Sequence, residues 1–98
     1  MTLDEFRKST SGQQPPSLSG ALLALWQDAR GDWAAAHGSA QEDGTANGAW
    51  VHAYLHRREG DLGNAGYWYR RAGRPPPKCS LDAEWEQIAG ELLEGGEA

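Results

Sequence analysis

A small all-α bundle of about five helices is the fold class that the sequence predicts, and three observations predict it. Apolar residues recur at helical spacing in five separate stretches. The strongest breakers, Gly31, Gly60, Gly73 and Pro75-Pro76-Pro77, fall between those stretches and not inside them. At 98 residues the chain has room for one domain, and its nine aromatics, five of them tryptophan, are enough to anchor a small core.

Residues 1–16 read as a flexible N-terminal tail ahead of a single helical domain, residues 17–94. Ser9-Thr10-Ser11-Gly12-Gln13-Gln14-Pro15-Pro16 has no periodicity and ends in two prolines. Thr2-Leu3-Asp4-Glu5 is a capping box for one turn carrying Leu3 and Phe6, too short a helix to be stable alone. From Leu18 the pattern changes: Leu18, Leu22, Leu25, Trp26 and Ala29 lie on one stripe of a helix that Gly31 ends. Asp32 then caps a second helix in which Trp33, Ala36 and Ala40 share a face, and Gln41 to Asn47 reads as a polar connection.

The third helix, about Asn47 to Glu59, places Trp50, Val51, Tyr54 and Leu55 within one apolar arc. Gly60 stops it and Asp61 caps the fourth, Leu62 to Ala72, whose expected inner face is Leu62, Ala65, Trp68, Tyr69 and Ala72. Gly73 closes that helix before the prolines. Ser80 caps a fifth helix, with Leu81, Trp85, Ile88 and Leu92 on one stripe. Asp82, Glu84 and Glu86 stand near its N-terminus, where the helix dipole favours acids.

Two segments share the plan helix, Gly-Asp, helix: Gly31-Asp32 and Gly60-Asp61, each with an alanine five positions after the glycine. At the second copy Ala49-Trp50, Gly60-Asp61-Leu62, Ala65, Tyr69 and Ala72 resemble a tetratricopeptide repeat, and Tyr67-Trp68-Tyr69-Arg70-Arg71-Ala72 looks like the second helix of related repeats. The likeness departs from the family in a first helix one residue short, in Gly66 at mid-helix, and in a degenerate first copy with Ala40 in place of the aromatic. It implies tetratricopeptide-like helical hairpins within the bundle and, through them, protein binding. The string from Ala24-Leu25-Trp26 to Arg70-Arg71-Ala72-Gly73 also looks similar to a family of small bacterial helical proteins with longer fungal relatives, a likeness that implies no activity.

The net charge of −5 is segregated: residues 1–48 carry three basic and six acidic groups, residues 49–79 six and two, and residues 80–98 none and six. A basic middle beside an acidic end attracts that end or a separate partner. A sequence pI near 5.0 disfavours nucleic acid as that partner. The single cysteine, Cys79, excludes an internal disulfide framework and a thiolate zinc site. It fits a reducing compartment, so a cytoplasmic location is expected. Met1 to Lys8 lacks the apolar run of a signal peptide, and no stretch approaches the roughly 20 apolar residues of a membrane span.

Two constellations could carry chemistry. His52 and His56 stand four apart on the third helix with Glu59 three further on, so all three project from one face, as in helical metal sites for a zinc-like ion. His37 on the neighbouring helix is a third imidazole. The plainer reading is half-buried helix histidines with local partners, and the pattern alone calls for no cofactor. On the fourth helix Tyr67, Arg70 and Arg71 point away from the apolar face, followed by Arg74 and Lys78. This set suits a protein partner, a second copy of the chain, or an anion or nucleotide. It could also pair with Glu84, Glu86, Glu91 or Glu94 on the fifth helix. Arg58 falls in the middle of the apolar arc, to be paired internally with Asp28, Asp32, Glu59 or Asp61. No nucleophile elbow, phosphate loop or dinucleotide fingerprint is present, so no enzyme is expected. The leading expectation is a non-enzymatic protein-interaction module that includes self-association among its modes.

Overall fold

Short polar side chains open five of the six helices in the computed structural model, which describes residues 1–12, 18 and 20–95. The helices are α1 (Leu3–Ser9), α2 (Gly20–Ala29), α3 (Trp33–Glu42), α4 (Ala46–Arg58), α5 (Leu62–Ala72) and α6 (Leu81–Glu94), with no strand among the described residues. Each cap satisfies an amide that the first turn leaves without a partner. Asp32 accepts from the Ala35 amide at 3.1 Å, Asp61 from Asn64 at 3.2 Å, and Ser80 from Ala83 at 3.1 Å. Thr45 accepts from Gly48 at 3.2 Å. The first three are the expected caps. The fourth is not: α3 runs on to Glu42, so the expected polar connection over residues 41–47 shortens to residues 43–45. That tight connection needs Gly48, where a Cβ would run into the Asp43 carbonyl.

The first helix also differs from expectation. Thr2 and Glu5 form the capping box, but the turn they start is not a loose tail as far as residue 12. Phe6 is fully buried and its ring stacks on Trp85 at 5.5 Å. The Ser9 carbonyl accepts from Trp26 Nε1 at 3.1 Å, and Arg30 donates to the carbonyls of Thr10 and Gly12. Tertiary burial of one phenyl ring supplies what so short a helix lacks by itself. The remainder of the expected tail, residues 13–16, lies outside the described residues.

α4 is the axis of the bundle, packed by α2, α3, α5 and α6. Nine consecutive residues, Gly48 to His56, are buried, so its whole circumference is covered and not one arc alone. α5 folds back on it through the turn at Gly60, whose φ of +87° lies in the region that favours glycine. Trp50, Val51, Tyr54, Leu55, Ala65 and Tyr69 are buried as expected, while Trp68 and Ala72 are partly buried against the core. Leu62, assigned to the inner face, is instead 69% exposed. It stands at the first position of α5, where the chain is still emerging from the turn.

Two buried polar networks tie the other helices to this axis. Glu84 of α6 is buried; its carboxylate accepts from the Tyr69 hydroxyl at 2.6 Å and from Arg57 Nη1 at 2.8 Å. Asp28 of α2 accepts from the Tyr54 hydroxyl at 3.1 Å and pairs with Arg58 Nε at 3.3 Å. The internal pairing of Arg58 is thus with Asp28. No helix among the described residues is long and apolar enough to cross a membrane.

Candidate functional site

The burial of α4 from Gly48 to His56 brings His52 and His56 inside the molecule, and buried polar side chains are the informative ones. Their spacing of four stacks the two rings one turn apart, with centroids 4.9 Å apart. α3 supplies a second pair at the same spacing. Trp33 and His37 stack at 4.9 Å, and Trp33 Nε1 donates to the Leu55 carbonyl at 2.9 Å, which locks the start of α3 against the end of α4. The lock sets the His37 ring edge-on to both α4 histidines, at 4.5 Å from His52 and 5.3 Å from His56. α5 closes the other side, where Trp68 lies flat on His52 with centroids 3.8 Å apart and planes 14° apart.

Three helices therefore converge on three imidazoles between two indoles. One ring nitrogen from each of His37, His52 and His56 lies within 4.8 Å of the other two. Nδ1 of His52 is buried and has no hydrogen-bond partner. An orphaned acceptor or donor at such depth is uncommon, because leaving it unpaired costs on the order of 1–3 kcal/mol. Burial, with His37 and His56 beside it, pushes His52 down to about 4. Burial and the neighbouring His56 also lower His37, against an opposing pull from Glu59. Neutral imidazole is the form that donates to a metal ion.

Glu59 does not complete this set, as the spacing along α4 suggests. Its Oε1 lies 2.7 Å from Nδ1 of His56, and it groups with the buried His56 and the exposed Asp61 in a second cluster at the Gly60 turn. The carboxylate thereby fixes the orientation of the His56 ring, a usual outer partner for a ligating histidine. Asp61 is engaged as the α5 cap and by the Asn64 amide group at 2.8 Å. His37 takes the place in the cluster that Glu59 was expected to hold. The signal for it in the sequence is the pair Trp33 and His37 at i, i+4, matched to His52 and His56 at i, i+4 on the next helix.

The Tyr/Arg face is divided. Tyr67 is 44% exposed; Arg71 donates to its hydroxyl at 3.0 Å and lies over the Trp68 ring at 5.1 Å. Arg70 is exposed on the same helix. Arg74, by contrast, is drawn onto the domain, paired with Glu91 of α6 at 2.9 Å and set over the Trp50 ring at 3.4 Å. Lys78 lines a hollow together with Arg74, Trp50, Pro77 and Cys79, away from Tyr67, Arg70 and Arg71. The five residues do not form one patch. The partner of Glu84 is Arg57, which the pattern of the sequence passes over.

The fold and this geometry define an all-α protein with a three-imidazole cluster at the junction of α3, α4 and α5. Compared with protein-family models, with curated proteins and with solved structures, the chain finds no match.

Proposed function

We propose that the chain is a metal-binding helical protein that takes one first-row divalent ion of the zinc class. His37, His52 and His56 are the ligands, and Glu59 orients His56. The observation that carries this reading is the approach of three imidazole nitrogens to within 4.8 Å of one another, beside the buried and unpartnered Nδ1 of the His52 ring. Imidazole donors suit zinc, copper, nickel or cobalt, and not magnesium or calcium, which take oxygen. An ion about 2.0–2.1 Å from each donor needs nitrogens no more than about 4.2 Å apart, so the three rings would have to close on it when it binds.

Calorimetric titration of the chelator-stripped chain with zinc is expected to show one equivalent bound. Glu59→Gln should weaken it by about 10- to 100-fold, as loss of an outer carboxylate partner does elsewhere. His37→Ala, at a half-buried position, should lose most of the affinity with its helical circular dichroism intact. Absence of uptake by the unmodified chain would remove the proposal.

A further inference from the structure

We infer that the ion held by His37, His52 and His56 keeps one coordination position for an exchangeable small anion, so that the centre is a Lewis acid and not a structural staple. This rests on the metal-binding reading above. Four features of the structure lead to it.

The donor count comes first. Among the described residues, three histidines converge, and the nearest carboxylates, Glu59 and Asp61, group with His56 alone. Structural zinc sites close with four protein ligands, whereas sites with three protein ligands leave the fourth position to water or to an added ligand.

Charge decides which added ligand is favoured. Three neutral imidazoles leave both positive charges on the ion, and the Glu59 carboxylate beside His56 offsets at most one of them. The remaining positive charge, flanked by the low-dielectric indoles of Trp33 and Trp68, attracts an anion in preference to a neutral donor.

The architecture has no need of a staple at this point. α3 is already fixed to α4 by the Trp33 to Leu55 hydrogen bond and by Ala36 and Ala40 in the core. α5 is fixed to α4 by Tyr69, Ala65 and the Glu84 network.

Access is the fourth feature. His52 and His56 are buried, but His37 is only half-buried, so its side of the cluster is the way in for a small ligand. The stacked tryptophans bound the space available and favour a ligand of few atoms.

Cobalt(II) tests this directly, because its visible bands report coordination number and ligand exchange. The chelator-stripped full chain should take up one cobalt, and added azide should replace a bound water, shifting the bands along a saturable titration. Bound cobalt whose spectrum is unmoved by azide, thiocyanate and phosphate would overturn the exchangeable position while leaving the metal site standing. No cobalt uptake would overturn both. His37→Ala, verified as folded, should lose the cobalt bands and the azide response together. Retention of both by this variant would show that the three-histidine assignment is wrong.

Discussion

At the scale of single residues, the costs and gains of burial are concentrated in two carboxylates. Glu84 accepts from two donors, Arg57 Nη1 and the Tyr69 hydroxyl, whose single proton lies between both carboxylate oxygens, so the buried charge is well compensated. Glu84→Ala strips the partner from a guanidinium and a phenol at once, and is expected to lower unfolding stability by about 3–5 kcal/mol in urea titration. Tyr69→Phe, which leaves the Arg57 pair in place, should cost only about 1.5–3 kcal/mol. Asp28 is less well compensated: burial raises its carboxyl above the ordinary value, against the pull of Arg58 and the Tyr54 hydroxyl. It faces a cavity of about 220 Å³ that Arg7, Tyr54, Arg58, Asp82 and Trp85 also line. Because the folded value lies above the unfolded one, the native state binds more protons between the two. The stability contribution is full below the unfolded value and is lost as pH rises through the folded one. Urea midpoints of the wild type relative to Asp28→Asn should therefore fall on raising the pH from just below 4 toward neutrality, and a flat or rising difference would contradict the assignment.

At the scale of helices, what was legible in the sequence is what is local. Asp32, Asp61, Ser80 and Gly73 mark helix ends through bonds spanning three to five residues, and each stands where its type suggests. The slip at residues 41–47 has a physical cause. Thr45 caps α4 only because the chain turns tightly enough to set Gly48 on the Asp43 carbonyl, and Asp43 is itself held across the fold, its carboxylate accepting from the Ala21 amide at 3.1 Å. α1 was illegible as a packed element for the same reason, since nothing near Phe6 in sequence shows that Trp85, 79 positions later, will stack on it. The candidate site was half legible. A spacing of four within α4 gives His52 and His56, but only the crossing of α3 over α4 selects His37 above Glu59. Phe6→Ala distinguishes a packed α1 from a tail. If α1 belongs to the cooperative unit the loss is about 3–5 kcal/mol, whereas a detached segment would give under about 0.5 kcal/mol in the same urea titration.

At the scale of the whole molecule the question is whether the fold and the proposed ion would be coupled as in a zinc finger or only linked by mass action. The hydrophobic cluster runs from Phe6 to Leu92 through every helix and is built without the three histidines. A domain of this size owes its few kcal/mol of net stability to such a core. The metal-free chain is therefore expected to stay folded, with the same far-ultraviolet circular dichroism in chelator as in zinc. Zinc at about 100 times its dissociation constant should then add about 2.7 kcal/mol by linkage, which in a domain this small raises Tm by roughly 10 °C or more. The increment should vanish in His37→Ala without lowering that variant's own metal-free Tm by a comparable amount. Collapse of the helical signal in chelator would mean that the ion holds the helices together. In that case all its positions would serve the fold, and the exchangeable anion site would be lost with them.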